Sequence, residues 1–209
     1  MYYLGRAIVW IAFHIAFRIR TEGKENIPKG AVIYASNHRT NADPPLVAIT
    51  SRGKLCFMAK EELFHNKFFG ALIRSLGAFP VSRGSGDMEV IDKAVNNLKD
   101  GKSLMIFPEG TRSKDGKVQK GHSGAALIAA RTGKLIVPVG ICFGEKLKFR
   151  TKITVKFGKP IDPAEYVEIS DTPKTRNLVK IKKRYMQEIK LLVEGQSDEK
   201  IINQEEENA

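Results

Sequence analysis

From residue 31 onward, short apolar runs and amphipathic stripes alternate along the chain. Ala31–Ser36, Lys54–Ala59, Ala78–Val81, Leu104–Phe107 and Leu135–Cys142 are brief runs rich in apolar residues, the pattern of buried strands. Lys152–Phe157 alternates apolar with polar positions, which predicts a strand with one covered face. Between these runs the apolar positions fall at helical spacing. Leu63, Phe64, Phe68, Leu72, Ile73 and Leu76 predict a helix over Leu63–Leu76. Asp87 opens another, whose stripe of Ile91, Ala94, Val95 and Leu98 stops at Gly101. Pro44 and Pro45 start a short helix through Leu46–Ile49, since proline is tolerated in a first helical turn. Ser123–Arg131 is an Ala-rich helix closed by Gly133, and Pro173–Val193 is a basic amphipathic one. Strands separated by helices imply an α/β layered fold, with a mostly parallel or mixed central sheet flanked by helices. Thr21–Gly30 reads as a linker, and there is no internal repeat.

Ahead of the linker, Tyr2–Arg20 holds an uncharged apolar stretch of 11 residues, Ala7 to Phe17, with His14 inside it. A spanning helix needs roughly 20 apolar residues, so this one does not cross a bilayer alone. A signal peptide needs a small-residue cleavage site, and Arg18-Ile19-Arg20 stands there instead. Tyr2, Tyr3 and Trp10 suit a lipid headgroup interface, and Arg6, Arg18 and Arg20 suit anionic lipid. Together they favour an in-plane, membrane-anchoring helix over residues 1–22 rather than an ordinary packed helix.

Composition narrows the class. With 209 residues, 42% apolar and 8% aromatic, the chain is long and apolar enough for one folded core. Its two cysteines, Cys56 and Cys142, fit no metal or redox spacing and read as reduced core residues. The formal net charge is +12. Residues 198–209 hold five acids and one base, so the first 197 residues carry +16. That acidic end is expected to be disordered. A basic body points to nucleic acid, an anionic membrane or an acidic partner. Nucleic acid is disfavoured, because no reader motif is present and the basic stretches lack interleaved aromatics.

Candidate chemistry sits at strand ends. Asn37-His38-Arg39-Thr40-Asn41-Ala42-Asp43 follows the first buried run. On a continuous helix, His38 and Asp43 would point about 140° apart. In a loop halted by Pro44-Pro45 they can meet. Asp43 then accepts the imidazole Nδ1–H and leaves Nε2 to take a proton from a hydroxyl. Phe107-Pro108-Glu109-Gly110-Thr111-Arg112-Ser113 follows another buried run. There Gly110 allows close approach, Arg112 offers a planar fork for phosphate, and Thr111 and Ser113 offer hydroxyls. Arg83 and Lys120 are further cations at element ends. Gly121-His122-Ser123-Gly124-Ala125 lacks the final glycine and the preceding strand of a nucleophile elbow, so Ser123 reads as a helix start. His14, His65 and His122 have no acidic partner at useful spacing, and no cluster has metal-ligand spacing.

These motifs together resemble the glycerolipid acyltransferase family, bacterial lysophosphatidate (1-acyl-sn-glycerol-3-phosphate) acyltransferases in particular. Asn37–Asp43 resembles the family's N-H-x-S-x-x-D, Gly77–Arg83 its second block, Phe107–Arg112 its F-P-E-G-T-R and Val137–Gly140 its V-P-V/I block. Thr40 replaces the usual Ser and keeps the hydroxyl; Asn41-Ala42 replaces a bulkier apolar pair. The resemblance implies that His38 deprotonates the sn-2 hydroxyl of lysophosphatidate while Asp43 orients the ring, with no acyl-enzyme intermediate; glycerol 3-phosphate or another lysophospholipid is the alternative acceptor by the same mechanism. It implies an acceptor site of Arg83, Glu109, Gly110, Thr111 and Arg112, with Lys120 as an additional phosphate ligand. The expected cosubstrate is an acyl thioester of acyl carrier protein or coenzyme A, with no bound metal or cofactor. A catalytic domain over residues 23–197 is expected to work at the cytoplasmic face of the cell membrane, as a monotopic or peripheral protein.

Overall fold

In the computed structural model, which describes residues 2–81 and 87–195, seven strands form one sheet. They are β1 (Arg18–Glu22), β2 (Ile33–Ser36), β3 (Leu55–Lys60), β4 (Ala78–Val81), β5 (Ser103–Ile106), β6 (Ile136–Cys142) and β7 (Lys152–Phe157). Their spatial order is β1-β7-β6-β2-β5-β3-β4. Every pairing is parallel except β6 with β7, so the sheet is mixed. Helices cover both faces. One apolar core joins the sheet to α1 (Tyr2–Ala16), α2 (Asp43–Thr50) and α3 (Lys67–Ser75). A second joins the other face to α4 (Asp87–Lys99), α5 (Gly124–Thr132) and α6 (Thr175–Glu194). Central β2 is buried at all four positions because both faces are covered: Tyr34 enters the first core, Ile33 and Ala35 the second.

One glycine sets the approach of neighbouring elements. Gly77 joins α3 to β4 with φ +92°, and a Cβ there would overlap the Leu55 carbonyl of β3. Both cysteines are free; Cys56 is buried, Cys142 half-buried, and burial pushes the Cys56 thiol up to about 12.

Three sequence expectations change. The N-terminal helix stops at Ala16, and Arg18–Glu22 is an edge strand paired with β7, not the end of an anchor and the start of a linker. Its charges hid it, since an edge strand carries polar residues on its uncovered positions and only Ile19 packs toward the core. The helix expected over Leu63–Leu76 is split into a 3-10 turn, Glu61–Phe64, and α3. Asn66 resets the phase, its side chain accepting the Phe69 N–H at 2.9 Å as an N-cap. Consequently Leu63, Phe68 and Leu72, read as a core stripe, are exposed, Phe68 to 92%. Arg6, assigned to lipid headgroups, instead donates to the carbonyls of Ile49, Ser51 and Gly53, closing the open end of α2.

On α1, Gly5 and Val9 are buried one turn apart, while Tyr3, Leu4, Ile8, Trp10, Ile11 and Ile15 are exposed. No helix among the described residues is long and apolar enough to cross a membrane. The acidic segment 198–209 and Arg83 lie outside the described residues.

Candidate active site

Parallel β2 and β5 are neighbours, so the loops at their carboxyl ends lie side by side. His38 leaves β2, and Asp43 is the first residue of α2. The loop between them reverses the chain, and His38 Nδ1 donates to Asp43 Oδ2 at 2.8 Å. Asp43 is fully buried and acts purely as an acceptor. Its Oδ2 also receives the Arg39 N–H at 2.6 Å and the Thr40 N–H at 2.7 Å, and its Oδ1 the Thr40 hydroxyl at 2.9 Å. With Nδ1–H committed, Nε2 is the ring's acceptor, and the His38 side chain keeps 18% of its surface exposed. The Phe107 ring stacks on the imidazole, centroids 3.9 Å apart and planes 14° from parallel. Thus one bond and one ring face fix the base.

The backbone of His38 is held as firmly. Its N–H donates to Glu109 Oε1 at 3.0 Å, and its carbonyl accepts the Ser113 N–H at 2.8 Å. The other Glu109 oxygen receives the Gln119 N–H at 3.0 Å. Glu109 is 4% exposed, and burial pushes its carboxyl upward against the opposing pull of these two N–H groups. Its oxygens therefore face the protein backbone. This departs from the acceptor-contact role expected for Glu109. Asn37 completes the frame: its amide donates to the Ile141 carbonyl at 3.0 Å and accepts the Ile141 N–H at 2.7 Å, tying the end of β2 to β6.

The remaining expected residues form an open rim. Gly110, Thr111, Arg112 and Lys120 are exposed. Arg112 Nη1 donates to Asn41 Oδ1 at 3.1 Å, which joins the 107–113 loop to the His38–Asp43 loop. Gly110 has φ +69°, and a Cβ added there would meet the His122 ring at ordinary van der Waals distance. Thus His122, which has no acidic partner, nevertheless borders the site. Ser123 precedes α5 as a helix start. Arg39 donates to the Phe143 and Gly144 carbonyls at 2.6 and 3.0 Å and covers the Phe143 ring. Phe107, Gln119, Asn37 and Arg39 are positioning groups whose roles motif spacing did not specify. They act through backbone or ring contacts, which have no side-chain charge pattern to find; Asn37, Arg39 and Phe107 stood within the quoted motifs, and Gln119 outside them.

Residues 18–142 match the family model described as Acyltransferase. The chain is 35% identical to the 1-acyl-sn-glycerol-3-phosphate acyltransferase of Streptococcus pneumoniae over 177 residues, 81% of this chain and 65% of that protein. A chloroplastic 1-acyl-sn-glycerol-3-phosphate acyltransferase of Arabidopsis thaliana is 31% identical over 66% of this chain, which spans only 40% of that protein. The 1-acyl-sn-glycerol-3-phosphate acyltransferase of Bacillus subtilis is 30% identical over 72% of this chain and 77% of its own length. A crystal structure of the 1-acyl-sn-glycerophosphate acyltransferase of Thermotoga maritima superposes with a TM-score of 0.74 at 26% identity, covering 94% of this chain and 80% of that one.

Proposed function

The chain belongs to the acyltransferase family, and from that membership and the His38–Asp43 geometry we propose that it acylates the sn-2 hydroxyl of lysophosphatidate from an acyl thioester, giving phosphatidate. The observation that carries the reading is the 2.8 Å His38–Asp43 bond across the loop from β2 to α2, which leaves Nε2 as a base. In the proposed step Nε2 takes the hydroxyl proton as the oxygen attacks the thioester carbonyl. A C–O bond forms, the tetrahedral oxyanion collapses, and the C–S bond breaks. The imidazolium then returns its proton to the departing sulfur, so phosphatidate and a free thiol leave and the enzyme is restored. No acyl-enzyme is needed, because the acceptor oxygen is itself the nucleophile. Asp43 holds the ring in one tautomer and stabilises the imidazolium. General-base assistance of this kind supplies about 10²- to 10⁴-fold in rate.

Arg112, with Arg83, holds the acceptor phosphate by charge-assisted hydrogen bonds, with Thr111, Gly110 and Lys120 along the same rim. The donor is the thioester of acyl carrier protein or coenzyme A. A single-chain lipid acceptor is drawn from a bilayer, and the exposed apolar face of α1 supports docking on the cytoplasmic face of the cell membrane without crossing it.

The test is an assay of the purified protein in which lysophosphatidate, glycerol 3-phosphate and a lyso-ornithine lipid are each offered with both thioesters. A Pseudomonas aeruginosa relative, 28% identical over 62% of this chain, bears the name lyso-ornithine lipid O-acyltransferase, which makes the third acceptor informative. Lysophosphatidate is expected to be acylated fastest, and His38→Ala to lower that rate by about 10²-fold or more. Near-normal transfer by His38→Ala removes the base assignment. A faster reaction with another acceptor replaces the substrate.

A further inference from the structure

Outside the site, the largest anomaly is α3. Its inward residues are only Gly70 and Ile73, while Phe68 is 92% exposed, Phe69 46% and Leu72 38%. At 92% exposure the Phe68 ring adds nothing to the core, and exposed apolar surface of this kind marks a contact site. α3 packs beside α1, where a Cβ on Gly5 would overlap the Ser75 hydroxyl, and α1 too exposes large apolar residues. Both helices belong to the same layer.

A cleft of about 380 Å³ lies at the end of this layer, against the amino ends of β3, β4 and β5, opposite the His38 edge. Lys54, Arg74 and Lys102 line it from three different segments, beside Tyr2 of α1, and none of its lining residues is a carboxylate. Among the described residues, neither Lys54 nor Arg74 is ion-paired. Arg74 lies over the Phe64 ring at 4.6 Å. Lys102 donates to Asn97 and stands 3.7 Å from Asp100, whose side chain is 67% exposed. Exposed apolar side chains and Arg74, which has no ion pair among the described residues, thus share α3, with Lys54 across the cleft, the combination an anionic phospholipid surface presents in mirror image.

We propose that α3 and the Lys54–Arg74–Lys102 cleft form a second membrane-docking element, selective for anionic phospholipid: Phe68, Phe69 and Leu72 enter the acyl region and the cations hold headgroup phosphates. The proposal rests on the membrane reading of α1 and names a further element and a lipid class for it.

Sedimentation with phosphatidylcholine vesicles, with and without phosphatidylglycerol, tests it on the full chain. F68S/F69S is expected to weaken binding to both vesicle types by at least about tenfold. K54Q/R74Q/K102Q is expected to weaken binding only where phosphatidylglycerol is present, roughly fivefold per cation and about a hundredfold for the three. R176Q/K180Q/K183Q, on exposed positions of α6 in the opposite layer, removes equal charge and is expected to change binding by less than tenfold. All three variants are expected to keep wild-type kcat in detergent micelles, which shows that they fold. If F68S/F69S binds like wild type, or if the α6 variant loses as much as the cleft variant, the proposal fails. L4Q/I8Q/I11Q/I15Q tests α1 separately: wild-type binding by that variant, with loss by the α3 variants, overturns the α1 reading alone.

Discussion

The Glu109 carboxylate accepts the His38 N–H on one oxygen and the Gln119 N–H on the other, each at 3.0 Å. A buried group so engaged acts on the reaction through His38. In E109Q an NH₂ replaces one oxygen, and one backbone N–H then faces a donor. A buried donor left without a partner costs about 1–3 kcal/mol, and the loop carrying His38 is where that strain is relieved. E109Q is therefore expected to lower kcat by roughly ten- to a hundredfold while the acceptor KM stays within about twofold. Arg112 is exposed and among the described residues its fork bonds only Asn41, so R112A should do the reverse: KM for the phosphorylated acceptor rises about tenfold or more, with kcat and the donor KM little changed. Steady-state kinetics in both substrates separate the two, and a large acceptor KM effect in E109Q would return Glu109 to the substrate. His38 and Asp43 were legible because two side chains of complementary chemistry stood at a spacing that a Pro-halted loop can close. The role of Glu109 was not. Its partners are backbone N–H groups 71 positions before it and 10 after it, and a backbone donor is the same in every sequence.

At the scale of elements, burial on two faces made β2, β3, β5 and β6 readable as apolar runs, and α4 and α5 end just before Gly101 and Gly133, as predicted. The edge strand β1 and the break before α3 were not readable, for opposite reasons. Arg18–Glu22 is polar because one side of it is uncovered, and Leu63–Leu76 is apolar although much of it is uncovered. Hydrophobic pattern reports burial only where burial is what the residues serve. The α3–β4 turn, by contrast, is fixed by one glycine. Gly77 sits at φ +92°, and a methyl group would overlap the Leu55 carbonyl, which is strand backbone and has no freedom to move aside. Left-handed backbone alone costs an alanine about 1–2 kcal/mol, before the overlap is relieved. G77A should lower Tm by at least about 4 °C, at roughly 2–4 °C per kcal/mol for a domain of this length. Gly53, also left-handed but with nothing within 4 Å of a Cβ, is the control: G53A should carry the backbone cost without the overlap, and so a smaller shift. Equal shifts for the two would remove the Leu55 contact as the cause.

The whole molecule is asymmetric in a way neither a residue nor an element shows alone. Exposed large apolar residues concentrate on α1 and α3, on one side of the sheet, while α6 on the other side presents Arg176, Lys180, Lys183 and Arg184. The reactive edge runs between these layers, at the carboxyl ends of β2 and β5. A bilayer lying against the α1–α3 layer would then reach the rim of the His38 site, and α6 would face water, open to an acidic carrier of the acyl group. Trp10 reports this orientation without any substitution, because it is the chain's one tryptophan and lies 48% exposed on the outer side of α1. On vesicles containing brominated lipid, its emission should shift to the blue and be strongly quenched, since tryptophan settles at the headgroup boundary. Val179 is 46% exposed on α6 and marks the opposite layer. A tryptophan placed there, V179W in a W10F background, should keep its unquenched emission on the same vesicles while co-sedimenting with them. Quenching at both positions would mean that the protein lies on the bilayer in no fixed orientation. Quenching at position 179 alone would put the α6 layer on the lipid, and the docking face would have to be reassigned from α1 and α3 to the basic helix.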